Sequence, residues 1–247
     1  MTVVGIDART DRAALHLVGG PLTGKVLSVG PDRARIGLVA TEALLLGGDD
    51  VRIHVLVGPG AHLELVEIAG VVAYHGRGRP ASWTVHVELA ENATLIWHGE
   101  PFIVCDGADV TRMTTTTLDP GASAVLRETL VFGRAGETGG SLRTRTRVTT
   151  CGTPLLAEDL ALATAQRGAV GQLGGPAGVE RVVDSVQVLG RRPPRIESPQ
   201  VSWLDLDQPG AVVRWTGADL ASSAIPGLWP VLVGSSRQSD QFGTLDV

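Results

Sequence analysis

Hydrophobic and polar residues alternate with a period of two along most of the chain, and tight turns interrupt the alternation. The clearest case is residues 51–68, VRIHVLVGPGAHLELVEI. Such alternation places one side of a β-strand in a core and the other side in solvent. The hydrophobic positions flanking its Gly-Pro-Gly turn are Val51, Ile53, Val55, Val57, Ala61, Leu63 and Leu65. The pattern predicts a β-hairpin turning at Gly60.

Similar turns recur at a nearly constant interval. They are centred on Gly60, Asn92, Gly121 and Gly152, so that successive turns are 32, 29 and 31 residues apart. A recurrence near 30 residues indicates structural units that stack and share a continuous core. The predicted fold is therefore all-β, a scaffold of stacked β-hairpins that is sandwich-like or β-helix-like, with one or two short helices.

The pattern also suggests a division of the chain. Residues 1–190 are predicted to form the repeated hairpin scaffold. Prolines in 190–200 interrupt regular structure, and two strands and a short helix carrying Trp229 follow, so 191–233 is predicted to be a C-terminal extension packed on the scaffold. Residues 234–247 are polar and are predicted to be a flexible tail. For residues 157–168 the pattern leaves a helix and a strand both open.

Composition narrows the class of protein. The chain has 247 residues, of which 43% are hydrophobic, enough for one sizeable core. Its formal net charge of −5 argues against a nucleic-acid partner. The two cysteines lack metal-ligand spacing, and neither an export signal nor a membrane-spanning stretch is evident. We therefore expect a cytoplasmic protein with no membrane partner.

One motif resembles a phosphate-binding loop but lacks the features that such a loop needs. GGPLTGKV, residues 19–26, supplies the glycines and Lys25 of G-x-x-x-x-G-K. Val26 stands where a Ser or Thr would contact Mg²⁺, and Gly30-Pro31 follows too soon for a helix to begin. The segment is therefore predicted to form a β-turn rather than a nucleotide site.

Candidate metal ligands are scattered. His62 and Glu64 are two residues apart, which places them on one face of a strand, but two residues do not make a tight site. No nucleophile elbow or catalytic triad motif is present, so we expect no enzymatic activity. Arg143, Arg145 and Arg147 form a basic stripe that is either a solvent-exposed face or, less simply, a protein-binding face.

Several segments taken together resemble the UreD family, also called UreH, of urease accessory proteins, over roughly residues 15–220. The similar positions are Gly47-Gly48-Asp49, Gly58-Pro59-Gly60-Ala61, Glu100-Pro101, Gly107-Ala108, Pro120-Gly121-Ala122, Phe132-Gly133-Arg134 and Glu137. The resemblance implies structural roles for Gly47, Gly48, Gly58, Pro59, Gly60, Gly107, Gly121 and Gly133.

The resemblance implies a function that is not catalytic. Members of this family bind the urease apoprotein and the partner UreF, which recruits the GTPase UreG, and together they assist nickel insertion into urease. We therefore expect no stably bound cofactor and Ni²⁺ only in transit, since weak oxygen and imidazole ligands release a metal more readily than a closed thiolate set does. The acidic positions in the family-like segments and the neighbouring histidine give the transit candidates Asp49, His62, Glu64, Glu100 and Glu128.

Two other functions fit an all-β chain. The main alternative is a β-sandwich module that binds a protein or carbohydrate and is unrelated to nickel. A β-rich hydrolase would need two carboxylates set across a cleft, roughly 5–10 Å apart.

Overall fold

The computed structural model describes residues 1–162 and 180–234, which form sixteen strands, one 3₁₀ turn and one α-helix. The strands are β1 (Thr2–Asp7), β2 (Ala14–Val18), β3 (Leu22–Val29), β4 (Arg33–Ala40), β5 (Asp50–Val57), β6 (His62–Glu67), β7 (Val71–Ala73), β8 (Ala81–Leu89), β9 (Thr94–Val104), β10 (Asp109–Leu118), β11 (Ser123–Phe132), β12 (Ser141–Thr150), β13 (Thr153–Leu162), β14 (Val182–Leu189), β15 (Ser202–Asp205) and β16 (Gly210–Gly217). The 3₁₀ turn is Leu220–Ser222 and the helix, α1, is Ile225–Val233.

The strands form two sheets that face each other. Sheet A has the order β13-β12-β10-β8-β5-β1-β2, and sheet B has the order β15-β16-β14-β11-β9-β6-β4-β3, with β7 also paired to β9. The centre of each sheet is parallel, through β1, β5, β8, β10 and β12 in sheet A and β4, β6, β9 and β11 in sheet B. Antiparallel strands flank these parallel centres.

The all-β, repetitive fold is confirmed, and its β-helix-like form is the one adopted. The hairpins predicted at Gly60, Asn92 and Gly121 are wrong, because the two arms of each turn belong to different sheets. β5 pairs with β1 and β8 in sheet A, whereas β6 pairs with β4 and β9 in sheet B. The chain therefore coils from one sheet to the other at each turn. The fourth turn, at Gly152, does form a hairpin, since β12 and β13 are antiparallel neighbours.

The repeat spacing in the sequence corresponds to the strand register. Asp50 pairs with Ser82 and His62 with Thr94, each 32 positions later. In the next coil the offset in both sheets is 29, as between Thr94 and Ser123. These offsets equal the first two turn spacings, because each turn lies directly over the turn of the next coil. Gly60 N donates to Glu91 O at 2.9 Å, and Asn92 N donates to Pro120 O at 3.0 Å.

The core fills the space between the two sheets. Inward positions of successive strands stack there, including Ile53, Leu65, Val85 and Leu95, each at most 3% exposed. The opposite side of each strand faces outward, which places the Arg143, Arg145 and Arg147 stripe on the exposed side of sheet A. Burial of one face per strand in each sheet is the basis of the alternating sequence pattern.

The C-terminal part continues sheet B. β14, β16 and β15 extend it beyond β11, and α1 packs on the outer side of this extension through Ile225 and Leu232, both fully buried. The two strands and the short helix with Trp229 are as predicted. The boundary at residue 190 stays a prediction.

The remaining local predictions have mixed outcomes. Gly24 and Lys25 lie within β3, so no helix follows the phosphate-loop-like motif. Residues 157–162 belong to β13, and the rest of the ambiguous segment lies outside the described residues. So does the predicted tail after Gly234. In the described part of the chain, no helix is long and apolar enough to cross a membrane.

Candidate functional site

Four charged side chains and a tryptophan line a cavity between the two sheets, where the alternation pattern would place apolar side chains. We call Glu67, Trp97, Glu100, Arg112 and Glu128 the interior polar cluster. Glu67 is the third inward position of β6 after Leu63 and Leu65, and it is 9% exposed. Arg112 is an inward position of β10, on the side of Val110 and Leu118. The cluster is therefore held by strands of both sheets.

Glu67 is fixed by two hydrogen bonds. Its Oε1 accepts from Trp97 Nε1 at 3.1 Å, and its Oε2 accepts from the backbone N–H of Glu100 at 3.0 Å. Burial raises the pKa of Glu67 above its ordinary value, and the nearby positive charge of Arg112 acts in the opposite direction. Glu67 is thus a desolvated carboxyl group whose two oxygens are held in place.

Arg112 forms an ion pair with Glu128 across the interior. Arg112 Nη1 lies 2.5 Å from Glu128 Oε1, and both side chains are mostly buried. The guanidinium carbon also lies 5.0 Å from the centre of the Phe102 ring. Arg112 Nε and Trp83 Nε1 are buried and have no hydrogen-bond partner among the described residues. A buried donor without a partner is costly, so these two atoms mark a place where water or a polar ligand is favourable.

A small cavity lies beside the cluster. Its volume is about 50 Å³, and Glu67, Glu100, Arg112 and Glu128 all line it. Room of this size accommodates one or a few water molecules. The cavity is next to an irregularity in sheet B, where Arg127 pairs with His98 but Thr129 pairs with Pro101. The extra residue in β9 is a β-bulge, which re-aims the Gly99-Glu100 segment toward the cavity.

A second polar network lies on the outer side of sheet B, beneath α1. Asp184 of β14 is fully buried and accepts from Arg127 Nε at 3.1 Å and Arg127 Nη2 at 2.9 Å. Ser223 Oγ donates to Asp184 at 2.7 Å and accepts from Ile225 N, the first residue of α1. This network joins sheet B to the start of the helix.

His98 connects this network to the helix and to the bulge. Its Nε2 lies 3.3 Å from Arg127 Nη1, and its Nδ1 lies 3.8 Å from Glu100 Oε1. Its ring packs edge-on against Trp229 of α1, with centres 5.2 Å apart. The outer network and the interior polar cluster therefore meet at the Glu100 segment.

Comparison with known proteins identifies the family. The family model described as UreD urease accessory protein matches residues 16–222. The chain belongs to the UreD family. It is 45% identical to urease accessory protein UreD 1 of Streptomyces griseus over 218 residues, covering 86% of this chain and 83% of that protein. It is 32% identical to urease accessory protein UreD 2 of Saccharopolyspora erythraea, covering 86% and 76% of the two chains. A third relative, from Frankia alni, is 35% identical over 202 residues.

In this UreD-family chain, the five transit candidates do not converge on one point. Glu100 and Glu128 line the interior cavity. Asp49 instead accepts from Leu46 N at 2.9 Å and caps the turn before β5. His62 and Glu64 lie on the outer side of sheet B, where Glu64 contacts Arg35 at 3.1 Å and His62 lies 4.0 Å from Asp32. In residues 1–162 and 180–234, no three His, Cys, Asp or Glu side chains are grouped as a metal site.

The positions predicted as structural from the UreD resemblance lie at the ends of strands. Five of the glycines have positive φ angles, namely Gly48, Gly60, Gly107, Gly121 and Gly133. Gly47 and Gly58 are constrained by space, since a Cβ on Gly47 would lie 2.2 Å from Gly76 O and a Cβ on Gly58 would lie 2.3 Å from Asp7 Oδ1. Pro59 lies between two of these glycines in the turn that joins β5 to β6.

Sequence reasoning missed Glu67 and Arg112 as site residues. The signal for Glu67 was its place two residues after Leu65, which continues the inward side of the strand. Arg112 follows Val110 in the same way. A charged residue in phase with a hydrophobic face indicates a buried charge that needs a partner. This signal is independent of the family motifs.

Proposed function

We propose that this chain is a non-catalytic scaffold of urease maturation, which binds apo-urease together with UreF and UreG in the cytoplasm and assists nickel insertion. The observation that carries the proposal is the family match over residues 16–222, together with relatives named as urease accessory proteins. Nickel passes through the assembly as cargo and is not a resident cofactor of this chain.

The interior polar cluster supports a role in handling the metal. Glu67, Glu100 and Glu128 supply carboxylate oxygens around one cavity. Arg112 counters part of their charge, so the cavity attracts a cation without forming a closed ligand cage. A site with few ligands and a competing fixed cation releases a metal more readily than a complete coordination shell does. Of the five transit candidates, Glu100 and Glu128 are therefore the ones that the cavity favours as nickel ligands.

The distribution of aromatic side chains gives less support to a carbohydrate-binding module. Such modules stack sugars on exposed rings. Trp83, Trp97 and Trp215 are each at most 9% exposed, and Trp229 packs on His98.

Co-expression tests the proposal. This chain carries an affinity tag and is co-expressed with apo-urease, UreG and either UreF or an empty vector. We expect UreF to be recovered with the tag, and apo-urease to be recovered when UreF is present. Recovery of this chain alone, with urease reaching full nickel content in its absence, would overturn the proposal. An unrelated tagged β-protein expressed in the same way controls for adhesion to the resin.

A further inference from the structure

The helix α1 is apolar on every side. Its nine residues, IPGLWPVLV, include no charged side chain, and the indole N–H of Trp229 is their only polar side-chain group. Ile225 and Leu232 are buried against sheet B, whereas Pro226 is exposed and Val231 is 44% exposed. A surface helix normally turns a polar side toward solvent, and a helix that is apolar all round is typical of a buried element. The solvent side of α1 therefore has the composition of a covered surface.

The apolar surface continues beside α1 on the outer side of sheet B. In the strand register, Val66 of β6 lies between His98 of β9, which contacts α1, and Gly37 of β4. A Cβ on Gly37 would lie 2.9 Å from Ile68 and 3.6 Å from Leu27, so these two side chains lie over the glycine, and they are 53% and 49% exposed. Exposed apolar side chains that adjoin one another in this way indicate an interaction surface. We call Leu27, Val66, Ile68, Pro226 and Val231 the outer apolar strip.

The outer side of sheet B has room for one more helix beside α1. α1 packs over β11 and β14, against Val125 and Val186. Neighbouring strands are about 4.8 Å apart, and the axes of packed helices are about 8–10 Å apart. A second helix would therefore lie two strands further along, above β6, and parallel strands are normally covered on both faces. A hollow of about 510 Å³ lies at this place, between Gly234 at the end of α1 and the strand residues Glu64 and Ile96.

The charges beside the strip indicate the chemistry of the partner. Arg35 is paired with Glu64 at 3.1 Å, whereas Lys25, which lies opposite Gly37, forms no ion pair within the described residues. An acidic side chain on a partner would balance Lys25 at the rim of the contact.

We propose that the outer apolar strip binds one helix of a partner protein, a helix that is apolar along one side and acidic on the flank that faces Lys25. This surface deepens the proposed function and rests on it, because the partner is one of the proteins of the maturation assembly.

Photocrosslinking identifies what covers the strip. The tagged full-length chain carries p-benzoylphenylalanine in place of Pro226 and is co-expressed with apo-urease, UreF and UreG. On irradiation we expect a crosslink to one of these three proteins, mapped by mass spectrometry to a helical segment that contains Asp or Glu. The same group in place of Leu204, which is exposed on β15 outside the strip, should not reach that segment. A crosslink from position 226 to this chain itself, to a second copy of it, or to no protein would overturn the proposal.

Charged substitutions measure how much of the binding depends on the strip. Val231→Asp and Ile68→Asp each place a charge within the apolar contact, so each should lower recovery of the crosslinked partner at least tenfold. Lys25→Glu should lower it several-fold. Val18→Asp is the matched control, because Val18 is 54% exposed but belongs to β2 of sheet A, and it should leave recovery unchanged.

Thermal unfolding of each variant separates a lost contact from a lost fold, and we expect the same midpoint as for the wild-type chain. Wild-type recovery of the partner by both aspartate variants would overturn the proposal. If the wild-type chain itself recovers none of the three proteins, the proposed function fails, whereas retention by the aspartate variants contradicts only the surface.

Discussion

Glu67 shows how a single inward residue changes the chemistry of a β-core. A glutamate in phase with Leu63 and Leu65 loses its hydration, and the structure compensates with two accepted hydrogen bonds and the charge of Arg112. The compensation is incomplete, since burial remains the largest influence on its pKa and raises it. A raised carboxyl pKa has a definite consequence for stability as the pH changes.

The contribution of Glu67 to the free energy of unfolding is expected to fall as the pH rises above about 4.5, its ordinary pKa. In this range the native state holds the proton more tightly than the unfolded state does, so raising the pH removes stability that is fully present below it. Glu67→Gln lacks this titration, but its single side-chain oxygen can accept from only one of the two donors, Trp97 Nε1 and the Glu100 N–H. The donor left without an acceptor costs about 1–3 kcal/mol. Urea denaturation from pH 4.5 to 8 should therefore show the variant to be less stable, with a deficit that narrows as the pH rises.

Glu42→Gln is the control for the pH series, because Glu42 is exposed and its substitution removes a carboxylate without altering the core. Its stability should follow the wild-type curve. A deficit of Glu67→Gln that stays constant with pH would contradict a raised pKa at Glu67.

Asp184 helps to attach α1 to sheet B. It is fully buried and satisfies Arg127, Thr129 and Ser223 together. Asp184→Asn removes the charge that balances buried Arg127, and breaking a buried pair in this way costs about 3–5 kcal/mol. Ser223→Ala, the matched control, removes only a neutral hydroxyl and should cost about 1 kcal/mol.

Chemical denaturation measures both costs, and hydrogen exchange of residues 225–233 reports whether α1 loosens first. We expect faster exchange in α1 for both variants, with little change in β5 and β8. Equal stability losses for the two variants would show that the charge of Asp184 does not hold the network together.

At the scale of the element, the sequence predicted strands and their buried faces but not their partners. Alternation determines which side of β5 is buried, and Gly-Pro-Gly indicates a turn after it. The same turn residues serve a hairpin, which returns the chain within one sheet, and a corner, which carries it to the opposite sheet. The spacings of 32 and 29 residues distinguish a corner from a hairpin. In a parallel coil each turn must recur after one full coil, whereas hairpins do not require a constant spacing.

Two glycines at strand ends distinguish the cost of a positive φ angle from the cost of fitting a side chain into occupied space. Gly60 and Gly190 both have positive φ, but a Cβ on Gly60 meets nothing within 4 Å, whereas a Cβ on Gly190 would lie 2.2 Å from Ala122 O in the corner before β11. Gly60→Ala should therefore cost about 1–2 kcal/mol from conformation alone. Gly190→Ala should cost at least about 1 kcal/mol more, because the backbone of the neighbouring corner must move.

Thermal and urea unfolding of the two glycine variants checks this difference. An equal loss would mean that the corner yields freely and that only the φ angle matters. A loss confined to Gly190→Ala would instead show that Ala is tolerated at the φ of Gly60.

At the scale of the whole molecule, the fold and the family were accessible from the sequence, whereas the interior polar cluster was not. The family segments named Glu100 and Glu128, but their proximity depends on the pairing of β9 with β11 and on the bulge in β9. Only the coiling of the chain brings Arg112 of sheet A opposite them. Asp49, His62 and Glu64 share sequence motifs with them and yet lie at a turn and on the outer side of sheet B. Proximity along the chain therefore did not indicate proximity across the coils.

This separation yields a matched test of nickel transit within the assembly. Glu100→Gln combined with Glu128→Gln removes two of the cavity's carboxylates, while Glu64→Gln removes an outward one that contacts Arg35. In cells that co-express urease, UreF and UreG, we expect the double variant to lower the nickel content of purified urease several-fold and Glu64→Gln to leave it unchanged. Recovery of UreF with the tagged chain should be equal in both, which separates a loss of nickel transfer from a loss of the complex. Full nickel content with the double variant would exclude the interior polar cluster as the route, whereas a loss with Glu64→Gln alone would move the route to the outer side of sheet B.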